Sequence, residues 1–159
     1  MLTVQLICVG KLKETYWRDA CAEYAKRLAA FCRFSIVELP ESRLPENPSA
    51  AQIGAALREE GEKILSAAKG GAVIPLCIEG KECSSVELAE KIETLALDGV
   101  STLCFIIGSS FGLDDTVKQA GRWRLSMSPM TFPHQLARVM LCEQIYRAFQ
   151  INSNGKYHK

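Results

Sequence analysis

The chain has 159 residues, a formal net charge of +1, 48% hydrophobic and 23% charged residues. That length fits one domain with a real core and hardly allows two, and the composition is that of an ordinary soluble globular protein. No apolar run approaches the roughly 18 to 20 residues that span a bilayer, so no membrane partner is expected.

Residues 2–9 read as a first strand. They are apolar but have neither a charged leader nor a small-residue cleavage site, and they run directly into Lys11-Leu-Lys-Glu14, so a signal peptide is not expected. Residues 13–32 place Trp17, Cys21, Tyr24, Leu28 and Phe31 at helical spacing. A strand follows at 34–39, then an irregular stretch, 40–48, carrying Pro40, Pro45 and Pro48 and expected to be a mobile surface. Helix 49–69 begins after Pro48, with Ile53, Leu57, Ile64 and Leu65 on roughly one face. Strand 72–78 comes next, then helix 85–97, capped by Ser84 or Ser85 and ended by Asp98-Gly99. The remaining elements are strand 102–107, a short helix over 113–120, a short strand near 122–126 and a final helix over 133–150. Alternating strands and helices of this length predict one α/β domain with a parallel sheet covered on both faces.

Seven cysteines (8, 21, 32, 77, 83, 104 and 142) form an odd set without Cys-x-x-Cys spacing, and five lie in apolar patterns. They read as structural thiols of a reducing cytosol, and with only two histidines no metal site is expected. Lys11, Lys13, Arg18, Lys26, Arg27 and Arg33 make the start basic, as Lys156 and Lys159 do the end. Six glutamates crowd 38–62. Solvated helix faces explain much of this, so charge by itself supports RNA binding only weakly.

The chemistry is concentrated in the last third. Ile107-Gly108-Ser-Ser-Phe-Gly112-Leu113 follows a strand and opens a helix, a place where backbone can approach a ligand. It is neither Gly-x-Gly-x-x-Gly nor a phosphate loop with Gly-Lys-Ser/Thr. Ser126 to Pro133 offers backbone donors and acceptors with apolar walls, which suits an adenine ring; a packed connection with Met130 and Phe132 in the core is the other reading. The final helix is apolar around almost its whole circumference and must bury more than one side, either against a second subunit or as a central core helix. The end of the chain, Asn154-Gly-Lys-Tyr-His-Lys159, hangs beside the loops as a functional tail or as a frayed terminus.

The pattern Ile-Gly-x-x-x-Gly-Leu, then Leu-Ser-x-x-x-x-Thr-x-Pro-His, then Arg-Val-x-Leu-x-Glu-Gln-x-Tyr-Arg-Ala, ending in Tyr-His, resembles the RlmH family of SPOUT-class methyltransferases. Val-Gly-Lys-Leu-Lys-Glu near the start and the central Leu-Cys-Ile-Glu-Gly-Lys fit as well, so the resemblance covers the whole chain. One departure is Ser109, where members often have a second glycine; a serine there could crowd a cofactor or demand an altered turn.

The resemblance implies a single SPOUT domain over 1–159 with a C-terminal trefoil knot within about 72–159. It also implies a cytoplasmic homodimer that methylates N3 of a pseudouridine in 23S ribosomal RNA, with the assembled 70S ribosome as the expected substrate. S-adenosylmethionine would lie on Leu76, Gly108, Met127, Ser128, Pro129, Met130, Thr131 and Phe132. Tyr157 and His158 would be catalytic: the imidazole as proton acceptor or stabiliser of the imidate, the tyrosine stacking on or bonding to the base. Lys156 and Lys159 would pair with phosphate. His134, Arg138 and Arg147 are candidate RNA contacts. His134 could also cap the last helix or fix the cofactor loop, and Arg147, four residues after Glu143, could simply pair with it. Two rivals stand beside this reading: a non-catalytic ribosome-binding or assembly protein of the same fold, and a flavodoxin-like nucleotide-binding domain.

Overall fold

The computed structural model describes all residues, 1–159. Five strands, β1 (Thr3–Val9), β2 (Arg33–Leu39), β3 (Ala72–Glu82), β4 (Thr102–Ile107) and β5 (Leu125–Ser126), form one parallel sheet in the order β2-β1-β4-β3-β5. Five helices alternate with them: α1 (Thr15–Leu28), α2 (Ala50–Ala67), α3 (Ser85–Leu97), α4 (Asp115–Ala120) and α5 (His134–Asn152). Every expected element is present, the ends shifting by a few residues.

The strands are apolar on both faces, and the side chains sort with a period of two. Val4, Leu6 and Cys8 of β1, with Leu103, Phe105 and Ile107 of β4, join Cys21, Ile92, Leu141 and Ile145 in one core. Their neighbours Ile7, Val9, Cys104 and Ile106 point the other way, onto Ile64 of α2 and Val117 of α4. So α1, α3 and α5 cover one face and α2 and α4 the other. The links β1–β2 and β3–β4 run towards β2 across the first face, and β2–β3 and β4–β5 run towards β5 across the second. All four crossovers therefore share one hand.

Ser84, not Ser85, caps α3: its side chain accepts from the Glu87 amide, while Glu87 accepts from the Ser84 amide at 2.6 Å. Ser49 and Gln52 build the same box at the start of α2. Strand β3 runs four residues further than expected, through Glu79-Gly-Lys-Glu82, because β5 pairs with it at Leu76 and, after a register shift, at Lys81 and Glu82. Gly80 permits the shift, since a Cβ there would lie 2.6 Å from the Arg124 carbonyl oxygen.

Helix α5 lies against both α1 and α3. Ala137, Leu141, Cys142, Ile145 and Ala148 are buried, while Val139, Tyr146 and Phe149 pack at the margin of the same core. Much of its apolar circumference is thus used within one chain. Leu136 and Met140, one turn apart on one stripe, are half-buried and belong to neither core. All seven cysteines are free thiols, and six are buried. No helix is long and apolar enough to cross a membrane.

Candidate functional site

In a parallel sheet all carboxyl ends open on one edge, and ligands collect there between loops that leave in different directions. Here a cavity of about 600 Å³ lies between the carboxyl ends of β3 and β4, the 127–133 loop and the first turn of α5. That volume is within the range of ligand pockets, roughly 300–1,000 Å³. Leu76, Gly108, Met127, Ser128, Met130, Thr131 and Phe132 all line it. Pro129 does not; it is exposed, so of the eight expected contacts it is the one left outside.

The loop is held in place from below. Ser126 is 2% exposed, and its hydroxyl donates to the Ile78 carbonyl at 2.8 Å, which ties the loop to β3. Ser128 Oγ accepts from the Met130 amide at 3.0 Å, folding the next turn on itself. Met130 stands 71% exposed at the rim, so it is not a core residue. Phe132 is half-buried on the cavity wall.

Gly108 is required by close approach. A Cβ there would sit 2.8 Å from both the Gly112 carbonyl carbon and Leu113 Cδ2. Gly112 closes the turn with φ +95°, donating its amide to the Ser109 carbonyl at 2.9 Å. Ser109 has no positive φ, so the turn accepts a serine without strain, and its side chain shares the cavity wall.

Glu79 and Lys118 also line the cavity and were not anticipated. They pair at 2.7 Å. The Lys118 ammonium holds the Glu79 carboxyl below the usual carboxylate range, and Glu79 in turn raises Lys118. The strand expected from the sequence stops at residue 78, one short of this carboxylate, and only the extended β3 carries it to the edge.

His134 is the first residue of α5 and lines the cavity. The N-cap is Pro133 and has no side-chain cap bond, so His134 does not cap the helix. Arg138 is 2% exposed and bonds to Glu38 at 2.6 Å and to the Gly10 carbonyl at 3.1 Å. A guanidinium so enclosed cannot meet RNA, and the expectation that it does is corrected: Arg138 ties α5 to the ends of β1 and β2.

The tail is ordered. Asn154 adopts φ 57°, its amide donates to Ile151, and the Gly155 amide donates to Gln150 at 2.8 Å, a Schellman reversal that folds the chain back over α5. Tyr157 then donates its hydroxyl to Glu143 at 3.0 Å and packs edge-on against Tyr146, with centroids 4.8 Å apart. Burial first, and the Glu143 bond second, push the Tyr157 phenol up to about 12. Arg147 binds Glu143 at 2.6 Å, covers the Tyr157 ring at 4.7 Å and meets His158 Nδ1 at 3.1 Å. Its charge is therefore committed to the tail rather than free for RNA. Lys156 and Lys159 are exposed and unpaired.

Neither Tyr157 nor His158 lines the cavity of its own chain. Glu143, which holds Tyr157 directly and His158 through Arg147, lies nine residues beyond His134, about 13 Å along the helix. The tail that the sequence places beside the loops therefore does not reach those of its own chain.

Residues 2–158 match the family model described as "Predicted SPOUT methyltransferase". A protein of Bacillus pumilus named ribosomal RNA large subunit methyltransferase H is 48% identical, over 99% of this chain and all of the relative. Its namesake in Bifidobacterium animalis subsp. lactis is 46% identical with the same coverage. Among solved structures, the SpoU methyltransferase AviRb from Streptomyces viridochromogenes, solved with AdoMet, overlays with a TM-score of 0.45 at 10% identity, covering 97% of this chain and 61% of that one. That likeness is too loose to bear on the fold or the site. The chain belongs to the SPOUT methyltransferases, in the group whose members are named ribosomal RNA large subunit methyltransferase H.

Proposed function

We propose that the chain transfers the methyl group of S-adenosylmethionine to N3 of a pseudouridine in 23S ribosomal RNA, acting on the assembled 70S ribosome in the cytoplasm. The names of its relatives support large-subunit ribosomal RNA as the substrate class. The single observation that carries the cofactor is the cavity itself. It combines apolar walls from Leu76, Ile78, Met127 and Phe132 with a glycine cradle at Gly108 that any Cβ would fill. Apolar faces for an adenine ring, backbone groups for its edge and the Glu79 carboxylate for ribose hydroxyls make a fitting donor and acceptor set.

Bound there, S-adenosylmethionine supplies a methyl already activated on a sulfonium. The protein then has to align the acceptor and exclude water. The imide nitrogen holds its proton near neutral pH, so loss of that proton needs help. An arginine only donates, so the contact with Arg147 makes His158 Nδ1 an acceptor and leaves the ring proton on Nε2. In this pose His158 offers an N–H to a ring carbonyl oxygen and so stabilises the imidate, the N3 proton having left to bulk solvent before water is excluded. It accepts a proton at Nδ1 only when Arg147 withdraws.

The tail reaches a cavity only across a homodimer. Leu136, Met140, Glu143 and Arg147 recur at helical spacing along α5, so the uncovered apolar pair shares a stripe with the residues that hold the tail. An antiparallel pairing of two such stripes brings each tail towards the partner's cavity. The reading includes a trefoil knot within residues 72–159: the β4–β5 link passes on the α2/α4 face, and α5 returns to the other face between α1 and α3.

Mass spectrometry of ribosomal RNA from cells lacking the protein tests the assignment. One methylated pseudouridine of the large subunit disappears and returns with the wild-type gene; an unchanged pattern overturns it. Deleting 154–159 leaves binding of S-adenosylhomocysteine intact and abolishes methyl transfer. Transfer that survives the deletion removes the tail from the mechanism, and cofactor binding without transfer by the full-length protein leaves a ribosome-binding protein of the same fold.

A further inference from the structure

A second cavity, of about 350 Å³, adjoins the first and shares Ser109 and Ser110 with it. It lies between α2, the 40–48 loop and Phe111, and on its wall is the one buried carboxylate of the chain. Glu60 is 5% exposed. Its Oε2 accepts from the Ser42 amide at 2.9 Å, while Oε1 has no donor, and neither does the buried Ser42 hydroxyl. A buried carboxylate oxygen without a donor is costly, so the cavity is chemically incomplete and asks for an N–H or O–H. The carboxylate is also firmly placed. Gly61 beside it brings α2 so near α4 that a Cβ would lie 3.1 Å from Asp114 Cβ.

Three other features narrow the ligand. Phe111, on the wall, is 48% exposed and presents a ring. Leu57 supplies an apolar side. Arg43 lines the cavity, is exposed and makes no ion pair. A nucleotide uses these three and Glu60 together: its flat base lies on Phe111 and Leu57, its ring N–H meets Glu60 and its phosphate meets Arg43. A bare divalent cation would use Glu60 and Glu41, also on the wall, but would be repelled by Arg43 and would leave Phe111 and Leu57 without a role.

We propose that this second cavity seats the acceptor nucleotide and that Glu60 selects pseudouridine over uridine by accepting its extra ring N–H. The inference rests on the methyl-transfer reading. Pseudouridine is linked to ribose through carbon, so its N1 carries a hydrogen; in uridine N1 is the glycosidic atom and has none. A buried acceptor satisfied by the first base is left empty by the second, which is how a polar site rejects an analogue lacking one N–H. Phe111 stacks on the base and Arg43 pairs with its phosphate.

The test compares methyl transfer to ribosomes carrying either pseudouridine or uridine at the target position, for the full-length wild-type protein and Glu60→Ala. The wild-type kcat/KM favours pseudouridine by at least about 100-fold. Glu60→Ala reduces that preference to within about threefold, with the affinity for S-adenosylhomocysteine and the oligomeric state unchanged. Leu57→Trp, which fills the cavity from its apolar wall, abolishes transfer to both and also spares cofactor binding. An undiminished preference in Glu60→Ala overturns the inference. So does binding of magnesium chloride alone that depends on Glu60, or a shift of the monomer–dimer equilibrium in Glu60→Ala. If the wild-type protein methylates neither ribosome, it is the methyl-transfer reading that falls.

Discussion

Arg138 Nη1 lies 2.6 Å from Glu38 Oε2, with the arginine side chain 3% and the glutamate 36% exposed. The same carboxylate oxygen accepts from the Leu12 amide at 3.3 Å, and Arg138 Nη2 donates to the Gly10 carbonyl. One buried guanidinium thus joins α5 to the ends of β1 and β2. Glu38→Ala leaves that charge without a counter-ion and is expected to cost about 3 kcal/mol, the lower end for a broken buried pair because Glu38 is partly hydrated. Arg138→Met, which keeps volume and removes the charge, costs less than Glu38→Ala. Urea unfolding of the two variants checks the order.

Gly108→Ala tests the cradle. The added methyl must push the Gly112 turn or Leu113 aside, so we expect a stability loss of about 1–3 kcal/mol and at least tenfold weaker binding of S-adenosylhomocysteine by calorimetry. Ser109→Gly, at a position of ordinary φ, leaves that affinity within about threefold, a change worth less than 1 kcal/mol.

Tyr157 gives the tail a pH signature. Its phenol is raised in the folded chain to about 12 from an unfolded value of about 10. A group so raised contributes stability that is fully present below about pH 10 and is lost as the pH climbs through about 12. Ultraviolet titration should show one tyrosine ionising in that upper window, and Tyr157→Phe should remove that step. A titration unchanged by the substitution means that the phenol is not held by Glu143.

Met140→Lys probes the uncovered stripe of α5. Met140 belongs to neither core, so the substitution is expected to change stability by less than about 1 kcal/mol. It should convert the proposed dimer to monomer in sedimentation and stop methyl transfer while sparing cofactor binding. A dimer that persists moves the interface elsewhere.

The elements themselves were legible in the chain because period-two and period-3.6 patterns, caps and glycines are local signals. Two loops, around Gly108 and over Met127–Phe132, could be read as neighbours for the same reason: they follow strands whose carboxyl ends must share an edge, and both loops line the cavity. Partnership across the fold was not legible. Arg138 in sequence is an arginine on a helix apolar almost all round, and only the packing of α5 over β1 places it against Glu38, a hundred residues earlier. Glu79 and Glu60 look like two solvated glutamates among many. A register shift carries the first to the sheet edge, and the approach of α2 to α4 seals in the second. The tail shows the division most clearly. Asn154-Gly155 marks a reversal that residue types announce, but its docking on Glu143 and away from its own cavity depends on long-range distances that no local pattern encodes.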